Sequence, residues 1–239
     1  MNPLFREIKG VIFDYGGTLD TNGMHWAEVL WHFYQQVGVP IDKESFKCAY
    51  IHGERSLAKE RLILPHHLFH DVLLIKIHIQ MEYLIENGLL PDTLEVRNYT
   101  ALIADGCNEF ALRVVDKSRV VVNKVAEKFK TALVSNFYGN IQTILKDFDL
   151  FCPFDVIVES AVVGIRKPDP EIFLYSMRSL QLLPHEVVVV GDSFSKDIVP
   201  AKAAGCKTIW LKGEGWKEET DDSLPDAIIT SIEQLTELL

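Results

Sequence analysis

In VIFDYGGTLD, residues 11–20, an apolar run meets a carboxylate, Asp14, and two glycines and a threonine follow at once. Three later stretches have the same character. TALVSN ends in Ser135 and Asn136, and GIRKPDPEIF places Lys167 in a loop just before a helical pattern. VVVVGDSFSKD ends an apolar run in Gly191 and Asp192, with Asp197 in the turn beyond. Together these groups suit phosphoryl chemistry. A carboxylate can act as a nucleophile, and paired carboxylates hold Mg²⁺, which takes hard oxygen ligands. A hydroxyl, an amide and an ammonium can bind phosphate oxygens as charge develops on them. Singly, each is also an ordinary turn, cap or surface residue. Their succession at the ends of apolar runs sets them apart.

Those groups converge only if the runs are strands of one parallel sheet. Short β-branched runs at 10–13, 131–134, 155–158, 187–190, 208–211 and 227–229 read as buried strands, with helical stripes between them. Val121, Val122, Val125, Ala126 and Phe129 share one helical face, as do Ile141, Ile144 and Leu145. Residues 171–182 read as a helix with Asp169 as N-cap and Pro170 at its first position. Residues 195–204 read as another, capped by Ser195 and ended by Gly205. Alternating strands and helices predict an α/β fold with a Rossmann-like parallel sheet covered on both faces, and ligands at the carboxyl ends of the strands.

Residues 22–105 break the alternation. Trp26, Val29, Leu30, Phe33 and Val37 form one helical stripe, 46–62 a second and 68–85 a third, which Asn87 and Gly88 would end. A weaker helix is expected over 94–103. The expected organisation is a core domain from residues 1–20 and 106–239, with an all-helical segment, 21–105, inserted after the first strand.

The 239 residues are 48% hydrophobic and 24% charged, an ordinary globular composition. The net charge of −10 argues against a nucleic-acid footprint, though a metal and one lysine can reverse the field locally for an anionic substrate. Cys48, Cys107, Cys152 and Cys206 are too far apart for a zinc site and are expected as free thiols. No signal-peptide pattern or membrane-length apolar run is visible. A cytoplasmic protein, bound to neither nucleic acid nor membrane, is therefore expected. Its oligomeric state is left open.

The set FDYGGTLD, VSN, GIRKPDPEIF and VVVGDSFSKD followed by AKAAG resembles, in order, the four motifs of the haloacid dehalogenase superfamily. The likeness covers nearly the whole chain, and the helical insert is similar in position to that family's C1-type cap. The resemblance implies Asp14 as nucleophile and Ser135 and Lys167 on the phosphate, with Lys167 also holding the nucleophile. Asn136 and Gly17 complete the expected substrate-binding set. Asp14, Asp192, Asp197 and the backbone carbonyl of Gly16 would form the Mg²⁺ site.

One position departs from the pattern. Phosphatases of this family usually carry a second Asp two residues after the nucleophile, where it protonates the leaving group and later activates water; here the residue is Gly16. General acid–base help of that kind is worth roughly 10²–10⁴-fold. Asp20, or His25, His52, His66, His67, His70 or His78 of the insert, could stand in. The leading expectation is a Mg²⁺-dependent hydrolase of a small phosphorylated metabolite through an aspartyl-phosphate at Asp14. A phosphonatase-like enzyme would lack this acid too, but needs a cap lysine as Schiff base, for which Lys43, Lys47 and Lys59 are available. A dehalogenase-like enzyme also lacks it, but needs no metal, which Asp192 and Asp197 speak against. A weakly active relative that binds a phosphorylated ligand or a protein partner is the fourth alternative.

Overall fold

The computed structural model describes residues 3–213 and 220–239. Its six strands are β1 (Gly10–Phe13), β2 (Lys130–Ser135), β3 (Val156–Glu159), β4 (Val187–Gly191), β5 (Lys207–Leu211) and β6 (Ala227–Ile229). They form one sheet in the order β3-β2-β1-β4-β5-β6, with every pairing parallel. This is an α/β, Rossmann-like core. The chain steps outward from β1 through β2 to β3, then returns to place β4 on the other side of β1. A crevice opens at such a reversal, outside the carboxyl ends of the strands. Asp14 follows β1 and Asp192 follows β4 directly, so the reversal brings these two acids together.

The strands are apolar on both faces because both are covered. Val11, Phe13, Leu133, Val188, Val190, Ile209 and Leu211 point into one core. Ile12, Ala132, Val134, Val158, Val187 and Val189 point into the other, against Ile172, Phe173 and Met177. The alternation is the period of two expected of strands.

Between β1 and β2 the described residues are helical: α1 (Trp26–Val37), α2 (Lys43–Lys59), α3 (Phe69–Glu86) and α4 (Leu94–Ala126). The Asp42 side chain caps α2 by accepting from Ser45 N at 2.7 Å. Thr93 does the same for α4 from Val96 N at 3.3 Å. The two helical stripes read from the sequence at 94–103 and 121–129 are one helix of 33 residues, about 50 Å long at ~1.5 Å per residue. It runs through position 105 without a break. The join was obscure because its buried face is made of small residues, Ala104, Cys107, Ala111 and Ser118, which give no strong apolar stripe.

After β2 come α5 (Ile141–Asp147), α6 (Ser160–Val163), α7 (Glu171–Leu180) and α8 (Val199–Ala203). The helix expected from Ser195 is instead a π-helical turn, Phe194–Ile198, leading into α8, and its capping side chain belongs to Ser193, which accepts from Lys196 N. Asp169 does hold the start of α7, its Oδ1 accepting from Glu171 N at 2.9 Å.

Gly106, inside α4, lies where α1 crosses closely. A Cβ there would sit 2.5 Å from the ring of Phe33. Helix propensity alone favours Gly→Ala by about 1 kcal/mol, but overpacking of this kind costs ~1–3 kcal/mol. We therefore expect Gly106→Ala to lower stability in urea unfolding. A gain would contradict the tight α1–α4 approach.

Candidate active site

Asp14 leaves β1 with its N–H still bonded to Val190 O, at 2.9 Å, so its backbone is fixed by the neighbouring strand. The residue is 5% exposed. Lys167 Nζ donates to Asp14 Oδ1 at 2.5 Å and to Asp197 Oδ1 at 2.7 Å, and all three residues are buried. One oxygen from each of Asp14, Asp192 and Asp197 can be chosen so that all lie within 4.8 Å of one another. Three carboxylates this close, with one ammonium among them, leave negative charge uncompensated.

The electrostatics of the acids follow. Burial, then the charges of Asp14 and Asp197, hold the Asp192 carboxyl well above the usual range, against the pull of Thr18 and Lys167. Burial lifts Asp197 to about 6; the Lys167 ammonium opposes that and the Asp14 charge adds to it. Burial alone would lower Lys167, but Asp14 and Asp197 outweigh it and keep the amine protonated. Hard carboxylate oxygens that repel one another are the donor set a small divalent cation satisfies.

Several neighbours keep this geometry, and most were not singled out from sequence. Thr18 Oγ1 lies 3.0 Å from Asp14 Oδ2 and 2.9 Å from Asp192 Oδ1, sharing one proton between them, and it accepts from Asp192 N. It spans the two strand ends. Ser193 N donates to Asp197 Oδ2, and Trp210 Nε1 donates to Asp192 O at 2.8 Å. Glu159, at the end of β3, accepts from Gly139 N and Ile141 N and so holds the loop after Asn136; burial raises its carboxyl.

The remaining expected residues divide by what they touch. Ser135, the buried last residue of β2, lines the same cavity as Asp14, Gly16, Lys167, Asp192 and Asp197. Asn136 also lines it, but its amide clamps Lys167: Nδ2 donates to Lys167 O at 2.9 Å and Oδ1 accepts from Lys167 N at 3.0 Å. Asn136 thus positions the lysine. Gly17 donates its N–H to Asp20 Oδ1 at 2.7 Å, and its carbonyl accepts from Thr21 Oγ1 and Gly23 N. Its backbone groups are engaged within the turn. Its φ is +98° and a Cβ would collide with the Asp192 carboxylate, so glycine is what lets the two loops meet. At Gly16, by contrast, a Cβ would meet nothing within 4 Å, and the residue lines the cavity. The missing side chain leaves open space above the nucleophile.

Asp20 does not fill that space. It is fully buried, accepts from Gly17 N and from Trp26 Nε1 at 2.9 Å, and burial raises it to about 7 against those two bonds. It ties the turn after β1 to α1. Of the six candidate histidines only His25 lines the cavity. Its Nδ1 accepts from Ala27 N at 3.1 Å, capping α1. His70 pairs with Asp105, His52 contacts Ser56, and His67 accepts from Leu64 N. Of the three candidate lysines, Lys43 and Lys47 pair with Glu28 and Glu44, and only Lys59 lines the cavity.

The cavity encloses about 1000 Å³ between the strand ends and the helices, with Glu54, Leu57 and Ile63 on the helical side and Phe137 and Tyr138 on the loop after β2.

Comparison with known proteins bears on the family and the fold. The sequence model of the haloacid dehalogenase-like hydrolases matches residues 8–205. The chain is 35% identical over 86 residues to glyceraldehyde 3-phosphate phosphatase of Methanocaldococcus jannaschii, covering 36% of this chain and 38% of that protein. It is 30% identical over 82 residues to phosphoserine phosphatase of Thermus thermophilus, covering 34% and 32%. It is 28% identical over 120 residues to haloacid dehalogenase-like hydrolase domain-containing protein 3 of Danio rerio, covering 50% of each. The chain thus spans from about a third to half the length of these curated relatives. Among solved structures, a haloacid dehalogenase-type hydrolase of Bacillus subtilis bound to magnesium is similar with a TM-score of 0.59, at 18% identity over 97% of this chain and 98% of that one. A dehalogenase is similar with a TM-score of 0.67, at 18% identity over 98% of each chain. At such identities the structural likeness is one of fold. With the family's sequence model spanning all four strand-end loops, this chain belongs to the haloacid dehalogenase-like hydrolases.

Proposed function

We propose that the chain is a Mg²⁺-dependent phosphatase that hydrolyses a small phosphorylated substrate through an aspartyl-phosphate at Asp14. The observation that carries this reading is the cluster of Asp14, Asp192 and Asp197 around Lys167 in one cavity. A displacement of halide from carbon needs no cation, and three crowded carboxylates would then only raise the cost of folding. The two phosphatases among the relatives favour the same reading. The glycine at position 16 removes the usual second acid but leaves the nucleophile and the metal-side acids in place.

In the proposed reaction Asp14 attacks phosphorus and the ester oxygen leaves. Lys167 and the Ser135 hydroxyl hold the non-bridging oxygens. Asp192, Asp197 and the Gly16 carbonyl would hold Mg²⁺ with Asp14, and the ion would offset the charge of nucleophile and phosphate. Water then attacks the phosphoryl group and frees Asp14. The chain supplies no carboxyl at position 16 to protonate the departing oxygen, so substrates with good leaving groups should react best. In this reading residues 21–105 act as a cap domain over a core of 1–20 and 106–239, and the helices shield the site from bulk water while the intermediate forms. No helix among the described residues is long and apolar enough to cross a membrane. The four free thiols support a reducing, cytoplasmic setting.

Turnover of p-nitrophenyl phosphate with Mg²⁺ should be measurable in the wild-type chain and lost in Asp14→Asn. Equal rates in the two would remove Asp14 as nucleophile. Because the space at Gly16 is open, Gly16→Asp should fold and raise kcat on alkyl phosphates by at least about tenfold, the low side of what acid–base help supplies. No gain in a folded variant that still responds to Mg²⁺ would show that the missing acid does not limit turnover.

The acids also predict a linked effect of pH and metal. Asp192 and Asp197 hold protons in the metal-free fold that the unfolded chain has already lost, so the Asp197 contribution to stability falls as pH rises from about 4 through 6, and the Asp192 contribution likewise falls as pH rises above the ordinary carboxylate range. Mg²⁺ competes with those protons. Its upward shift of Tm should be larger at pH 8 than at pH 5.5, and Asp192→Asn should abolish the shift while raising the metal-free Tm at pH 8. An equal shift at the two pH values would contradict a cation site built from these carboxylates.

A further inference from the structure

Glu54, on the helical wall of the cavity, belongs to a charged pair that the proposed reaction does not use. Lys76 of α3 places Nζ 2.5 Å from Oε1 of Glu54 on α2, an ion-pair contact outside hydrogen-bond geometry. The ammonium also lies over the Tyr50 ring, 5.6 Å from its centre. The Lys76 side chain is 11% exposed, that of Glu54 39%. Burial alone would lower Lys76, but Glu54, Tyr138 and Tyr50 outweigh it and hold the amine well above its ordinary value. It is therefore an ammonium, unsuited to Schiff-base chemistry, which needs a neutral amine.

An apolar pair at such a site is often as stable as an ion pair or more so. What Glu54 offers in return is an acceptor. Its Oε1 is buried against Lys76. Its Oε2 is solvent-accessible and has no protein partner among the described residues, while the residue lines the cavity that holds Asp14 and Gly16. Tyr138, from the loop after β2, lines the same cavity and interacts with Lys76. So α2, α3 and a core loop together hold a residue of the cavity wall that keeps one carboxylate oxygen open to solvent.

The surroundings select what can bind it. Lys76 cancels the charge of Glu54, so the pair attracts hydrogen-bond donors more than cations. Lys59, Arg61, Arg166 and Lys196 also line the cavity, with no carboxylate partner among the described residues. Glu60, Asp14, Asp192 and Asp197 line it too, so the lining is of mixed charge, but beside Glu54 the Lys76 ammonium repels a second ammonium from the substrate. A neutral donor remains, and on a phosphate ester that is a hydroxyl.

We propose that Glu54, held by Lys76 between Tyr50 and Tyr138, is the specificity-determining residue for the leaving group, and that the substrate is a phosphorylated polyol or sugar whose hydroxyl donates to Glu54 Oε2. This rests on the phosphatase reading above and assigns the leaving-group side of the same cavity. A site that hydrogen-bonds a substrate hydroxyl discriminates strongly against analogues lacking it, because its own polar group is then left unpaired.

The test is a selectivity ratio. The kcat/KM values for glycerol 3-phosphate and glucose 6-phosphate are each divided by that for p-nitrophenyl phosphate, which carries no hydroxyl. Glu54→Gln should lower at least one ratio by about tenfold or more, chiefly through KM, since a hydrogen bond to a charged acceptor is stronger than one to a neutral amide. Because Glu54→Gln leaves Lys76 buried without a counter-charge, the double variant Glu54→Gln/Lys76→Met is measured beside it and should show the same loss. Ratios within about twofold of wild type in the double variant, or parallel loss on all three esters, would overturn the assignment. Failure of the phosphatase reading shows separately, as wild-type rates no higher than those of Asp14→Asn. In that case calorimetric binding of glucose 6-phosphate relative to inorganic phosphate, with and without Glu54→Gln, decides: a preference lost in the variant supports the subsite, and an unchanged one rejects it.

Discussion

The ammonium of Lys167 between Asp14 and Asp197 is the contact on which the rest of the site depends. These three groups are nearly sealed from solvent, and removing one partner from a buried charge set strands the others at a cost of several kcal/mol. The surrounding structure is arranged to keep that ammonium in place. Asn136 grips the Lys167 backbone from both sides of its amide, and Glu159 fixes the loop that follows Asn136. Ser193 holds the far oxygen of Asp197, and Thr18 joins Asp14 to Asp192. One ammonium cannot balance three carboxylates, and the residual charge is what makes a divalent cation the fitting complement.

The sheet makes this arrangement possible at low cost. Asp14 and Asp192 come from adjacent parallel strands on either side of the topological reversal, so backbone pairing fixes their separation. Ser135 arrives from the strand on the other flank of β1. None of the three depends on a long flexible loop. The helices between β1 and β2 provide the other wall of the cavity, and Asp20 links that wall to the turn after β1 by accepting from both Gly17 and Trp26. Ser118 of α4 makes a second link, donating to Leu19 O at 2.7 Å.

Much of this was legible in the sequence. All six strands lie where the β-branched runs place them, because strands buried on two faces leave continuous apolar runs bounded by turns. Asp14, Ser135 and Asp192 could be placed at one sheet edge because each ends such a run, whereas Lys167 sits in a loop before α7 and only the fold brings it to Asp14. The continuity of α4 was hidden by small residues at its buried positions. Ser193 rather than Ser195 caps the turn after β4 because that turn is π-helical, which shifts the register that a helical reading assumes. Thr18 stood in plain view beside Asp14, but only the pairing of β1 with β4 shows that its hydroxyl reaches Asp192. Glu159 and Asn136 act by holding backbone across loops, a role that no local pattern marks. Glu54 and Lys76 are 22 positions apart on separate helices, and only packing shows that they meet.

The central claim is that Asp14 becomes phosphorylated, and that its release is slowed by the absent carboxyl at position 16. The most direct measurement is peptide mass spectrometry after rapid acid quench of the chain turning over p-nitrophenyl phosphate with Mg²⁺. The account predicts a phosphoryl adduct on the peptide containing Asp14, lower in Gly16→Asp at steady state and absent in Asp14→Asn. Turnover without an adduct in wild type and Gly16→Asp alike, or an adduct on another residue, would contradict it.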